Sequence, residues 1–113
     1  MLDLSQNYLI KLTNSSNQIE DHVAIPISYN ETKDIYCVSA SGVGTVLFVG
    51  ESDLLENTTA GGLDLTSNYY IDIEDKTYIC KILFYNESTQ LFCISPVGIG
   101  YTLFVEGSKL TEV

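Results

Sequence analysis

Apolar positions fall in short runs that alternate with polar ones, and each run is broken by Asn, Asp, Ser, Thr or Gly. The first half of the chain contains "YLIKLT", "HVAIPISY", "DIYCVSA" and "TVLFV"; the second contains "YYIDIE", "YICKILFY", "QLFCIS" and "YTLFV". These runs are strand-length, rich in β-branched and aromatic residues, and none keeps a helical spacing. The pattern predicts strands over 8–13, 22–29, 34–40 and 45–49, then over 69–74, 78–85, 90–95 and 101–105. Asn30-Glu31 and Asn86-Glu87 fall where Asn suits turn geometry. Gly42 and Gly44, with Gly98 and Gly100, mark the turn before the last strand of each set. Pro26 lies inside a predicted strand, so that strand is expected at an edge or with a bulge. "ESDLLEN" reads as a short helical turn.

The two sets are copies. With Cys37 set on Cys93, an offset of 56, residues 29–56 lie over residues 85–112, and thirteen of the 28 pairs are identical. Upstream, "NYLIKLT" matches "NYYIDIE" if the second copy has the shorter loop. The chain therefore reads as one domain, 1–113, built from repeat unit one at 7–56, a linker at 57–67 with Gly61-Gly62 as its flexible point, and repeat unit two at 68–112. A unit of this size, without metal or disulfide, buries too little surface to fold alone. The fold class expected is all-β: an internally duplicated four-stranded unit forming one pseudo-two-fold sandwich or barrel of about eight strands. Two small barrels side by side are the alternative. Alternate positions of a strand share a face, which predicts Ile35, Cys37, Leu47, Val49, Leu91, Cys93, Leu103 and Val105 as core.

Charge narrows the function. The 113 residues carry fifteen acids against five lysines, with no arginine, for a net charge of −10. That argues against direct contact with nucleic acid or an anionic membrane. No run is long enough for a membrane helix, and "MLDLSQN" does not read as a secretory signal. The sequons at Asn14, Asn30, Asn57 and Asn86 read as turns. Three cysteines are an odd number and predict free thiols, with a Cys37–Cys93 bridge conceivable only if the two approach the pseudo-axis.

Candidate chemistry is sparse. His22, after Glu20-Asp21, reads as a solvated loop histidine. Cys37, Cys80 and Cys93 sit in apolar strands and read as structural thiols, with Lys81 the one nearby cation. "SGVGT" and "VGIGY" lack what a phosphate loop needs after its glycines. Asp72, Glu74 and Asp75 in "YIDIEDK" are the one set of oxygens that could hold calcium, against a plain solvated acidic face. No catalytic residue, cofactor-binding residue or metal ligand is assigned, and no cofactor is expected.

The repeated unit "VAIPISYNETKDIYCVSASGVGTVLFV" and its second copy resemble, in size, repetition and texture, the small virion accessory proteins of tailed bacteriophages: decoration, cement and head-to-tail proteins. The resemblance implies a non-enzymatic structural protein, present in many copies, made in the host cytoplasm and docked on shell or neck subunits and on copies of itself. An acidic inhibitor mimicking nucleic acid, of the antirestriction or anti-CRISPR kind, is the alternative, favoured if the acids form one stripe. A carbohydrate-binding sandwich is a further alternative, with Tyr29, Tyr69, Tyr70, Tyr85 and Tyr101 as its platforms.

Overall fold

A computed structural model describes all residues, Met1–Val113, and the chain is almost wholly β. Strands β1 (Tyr8–Thr13), β2 (Ile19–Asn30), β3 (Ile35–Ala40) and β4 (Val46–Val49) lead to a 3-10 turn at Glu51–Asp53. A two-stranded hairpin, β5 (Thr59–Ala60) and β6 (Leu63–Asp64), follows. Then come β7 (Asn68–Ile73), β8 (Lys76–Asn86), β9 (Leu91–Pro96), β10 (Leu103–Val105), a second 3-10 turn at Gly107–Lys109, and β11 (Thr111–Glu112). Nine of the eleven strands form one antiparallel sheet whose main path runs β10-β9-β8-β2-β3-β4.

The halves match pairing for pairing. Tyr29 faces Tyr36 as Tyr85 faces Phe92, and Val38 faces Leu47 as Ile94 faces Leu103. β2 breaks register between Pro26 and Ser28, and β8 breaks it at the equivalent place, between Ile82 and Phe84. The bulge expected from Pro26 is present. Its recurrence where copy two has Ile82 shows that it does not depend on proline. Each bulged strand bends, so its first part pairs with the strand before it and its last part with the strand after it. Each unit then returns to its own first strand. Leu9 and Leu55 exchange backbone hydrogen bonds of 2.8 and 2.9 Å, and Thr111 faces Tyr70 at the corresponding place.

The interior differs from a single shared core. One buried cluster holds Tyr8, Ile10, Ala24, Tyr36, Val38, Ala40 and Leu54. The other holds Tyr69, Ile71, Cys80, Ile82, Phe92, Ile94 and Leu110, joined by Leu65 and by Leu9 and Val23 from the first half. The molecule is correspondingly long, 53 × 29 × 24 Å. A short bent meander can wrap its own apolar face, so each half encloses a core instead of laying a flat face on the other.

The expected core face is corrected at β3. Tyr36, Val38 and Ala40 are buried, whereas Ile35, Cys37 and Ser39 are only half-buried. Leu47 and Val49 do face inward, because they are the cross-strand partners of Val38 and Tyr36. In β9 Phe92 and Ile94 are buried, and Cys93 is buried as well, on the other face.

The linker has its own structure. Gly61 and Gly62, at φ +62° and +83°, make the turn between β5 and β6, and Leu65 enters the core. Residues "LDLTSNY" before β7 also match "LDLSQNY" before β1. Tyr69 Oη donates to the Asp64 carbonyl at 2.8 Å as Tyr8 Oη donates to that of Asp3 at 2.9 Å. Asp64 Oδ1 accepts from Thr66 as Asp3 Oδ1 accepts from Ser5.

Candidate functional site

Polar chemistry concentrates where the two halves meet. The edge of β2 at Glu20, Asp21 and His22 pairs with Asn86, Tyr85 and Phe84 of β8. The buried polar residues of the chain are Asp21, His22 and Asn86, all at this joint. Asp21 is almost without water, and its partner is Lys11 of β1, at 2.8 Å. Lys11 also pairs with Glu87 across the joint. Burial pushes the Asp21 carboxyl up, while Lys11 holds that of Glu87 down. The two carboxylates raise Lys11 in turn. Asn86 Nδ2 donates to Gln18 Oε1 at 3.0 Å, and the Glu87 N–H donates to the Ile19 carbonyl at 2.9 Å. Ser41 Oγ donates to the Leu83 carbonyl at 2.5 Å and accepts from the Val23 N–H at 3.1 Å. No buried polar side-chain atom is left without a partner.

His22 is therefore not a loop residue. It lies in β2, buried, with Nδ1 2.6 Å from the Ser41 carbonyl and Nε2 3.1 Å from Glu20 Oε1. Its ring stacks on Phe84 at 4.8 Å between centroids. Both nitrogens face acceptors, so both donate only when the ring carries its second proton. The signal missed in the sequence was the long β2, which starts three residues before His22. A charged triplet looks like a loop unless another strand is known to lie against it.

The other candidates are dispersed. The three cysteines are free, with Cys80 and Cys93 buried and their thiols pushed up by burial. Cys37 and Cys93 lie in different halves, on β3 and β9. Asp72 accepts from Thr77 Oγ1 at 2.5 Å, while Glu74 and Asp75, at φ +49° and +67°, form the tight turn before β8. No three His, Cys, Asp or Glu side chains converge as a metal-binding group. Of the five tyrosines considered as platforms, Tyr69 is buried, and Tyr29 and Tyr85 stack on Tyr36 and Phe92. Only Tyr70 and Tyr101 are exposed. A groove of about 650 Å³ beside the joint is bordered by Lys11, Asp21, Glu56, Tyr85 and Glu87, but its one ammonium is already engaged.

The exposed apolar residues form the other feature of note. Phe48 on β4 and Phe104 on β10 occupy equivalent positions at the two ends of the main strand path. They are 72 % and 59 % exposed. Val46, Val97 and Tyr101 are exposed as well.

No protein-family model matches the chain, and neither a curated protein nor a solved structure matches it.

Proposed function

We propose that this protein is a non-enzymatic structural component of a virion, docked in many copies on shell or neck subunits of the tailed-phage kind. The observation that carries the reading is the outward Phe48 and Phe104. Large exposed apolar side chains on a small acidic protein favour a contact surface. Two equivalent aromatic anchors, one on each half, let a single molecule grip two sites at once, so weak contacts add through avidity. Many of the carboxylates serve local structure. Asp21 pairs with Lys11, Glu20 meets His22, Asp53 caps its own turn, and Asp3 and Asp64 hold theirs. Acids used in this way are a poor surface for imitating a phosphate backbone.

Fractionation of purified particles tests the reading. The protein is expected to co-purify with the major shell protein in fixed stoichiometry. Phe48→Ser with Phe104→Ser is expected to reduce occupancy while costing no more than about 0.5 kcal/mol at Phe48 and about 0.5–1.5 kcal/mol at Phe104, whose ring meets that of Phe84 edge-on at 6.1 Å between centroids. Absence from particles, with capture of a nuclease instead, would overturn it in favour of the inhibitor reading.

A further inference from the structure

The joint between the halves is not a two-fold contact. It uses residues 20–22, in the first part of β2, and residues 84–86, in the last part of β8. At the offset of 56 these correspond to residues 76–78 and 28–30. A two-fold joint would pair like with like. This one is head-to-tail, so each half has used one of two different edges. At residues 28–30, β2 pairs with β3 on one side only; at residues 76–78, β8 pairs with β7 on one side only. One edge of each kind is therefore open, at opposite ends of the chain's two-unit array.

The side chains around the open edges are those a repeated joint would cover. Leu9 and Val23 are buried at the joint, and their counterparts Tyr70 and Ile79 are exposed. A Cβ on Gly42 would sit 3.2 Å from Leu83 Cβ; its counterpart Gly98 has nothing within 4 Å. Beside Gly98, Val97 is 66 % exposed, and Ile27, the counterpart of Leu83, is 54 % exposed. Size is complementary too. At the joint His22 lies over the large Phe84. At the open edges the pair is Tyr78 and the small Ser28, and Ser28 borders a cleft of about 380 Å³ with Cys37 and Phe48.

We infer that copies of this chain associate head-to-tail, the β2 edge at residues 28–30 of one molecule pairing with the β8 edge at residues 76–78 of the next. The register follows from the joint: Asn30 opposite Lys76, Tyr29 opposite Thr77, Ser28 opposite Tyr78. The contact adds strands across an edge, as β-augmentation does. It leaves a free edge at each end, so it builds open chains, or rings if the rotation closes. Charge limits its strength. Asp72 stands where Lys11 stands in the joint, and it meets Glu31 where Lys11 meets Glu87. This inference deepens the reading of the protein as a many-copy component and supplies the contact between copies.

Sedimentation over a range of protein concentration is the test. Wild-type protein is expected to form oligomers larger than dimers at high concentration. Asp72→Lys, which restores the Lys11 arrangement, is expected to tighten association about two- to five-fold. Ile27→Asp blocks one edge and Val97→Asp the other; each is expected to be a folded monomer by circular dichroism. Mixed in equal amounts they should form a 1:1 dimer and stop, because each keeps the edge the other lacks. Monomers for both wild type and Asp72→Lys, or no dimer in the mixture, would overturn the pairing. So would a wild-type assembly that stops at a two-fold dimer. Monomers in solution would leave docking on a shell untouched, whereas absence from particles would end the docking and leave the pairing standing.

Discussion

Val38 sits one residue along from Cys37, and in β3 that step separates the buried face from the half-buried one, whereas in β9 both Ile94 and Cys93 are buried. Where both faces of a strand are apolar, alternation alone does not choose between them. The polar residue on the strand does: Ser39 and Ser95 share a face with Ile35 and Leu91, which marks that face as the wetter one. Ile94→Ala, at a fully buried position, is expected to cost about 2–5 kcal/mol. Ile35→Ala, on the half-buried face, is expected to cost no more than about 1 kcal/mol. Urea denaturation of the two variants measures the contrast, and equal losses would refute the face assignment.

At the scale of elements, most of the fold was legible. Eight predicted strands fall on the eight principal strands, because each run of Val, Ile, Leu and aromatics ends at a turn residue with a steric reason to be there. The β5–β6 hairpin was not legible, since two-residue strands carry no periodicity. The upstream match between "LDLSQNY" and "LDLTSNY" was the available signal that the residues just before β7 are ordered like those just before β1. Gly61 is the residue on which the hairpin depends. Its φ is +62°, and a Cβ there would lie 2.5 Å from Tyr85 Cε1 and 2.8 Å from Phe92 Cζ. Gly61→Ala is expected to destabilise by about 1–3 kcal/mol through overpacking and backbone strain. Gly62→Ala, with a positive φ but open space, is expected to cost less in the same thermal melt.

For the molecule as a whole, the division into two cores was legible only as an alternative. A one-dimensional pattern shows which residues want burial and not which strand provides it. The joint holds the halves through Lys11, Asp21 and Glu87, and its sensitivity to pH has a definite sign. Glu87 is held down, so its contribution is present above the ordinary carboxylate range, about pH 4, and is lost as pH falls through its folded value. The raised Lys11 contributes fully below about pH 10, and its share is lost as pH rises through its folded value. Asp21, raised by burial, works the other way, favouring the folded state more as it takes up a proton. Lys11→Met leaves Asp21 buried and unpaired and is expected to cost about 1–3 kcal/mol at neutral pH. The urea midpoints of variant and wild type should converge as pH falls below about 4. A gap that stays constant with pH would show that the ammonium does not hold the joint.

The closing contact of the first unit, Leu9 with Leu55, lies within the first 56 residues of the chain. During synthesis all the strands of that unit therefore leave the ribosome before the second unit, which supplies the cover for Leu9 and Val23, has done so. Until Phe84, Tyr85 and Asn86 emerge, the segment Glu20, Asp21 and His22 lacks its partner strand, and its carboxylate and histidine are still in water. Neighbouring ribosomes on one message carry second units that fit the same edge. The order of emergence then determines whether a nascent chain joins itself or its neighbour, and slow translation between β6 and β8 would favour exchange of halves between chains.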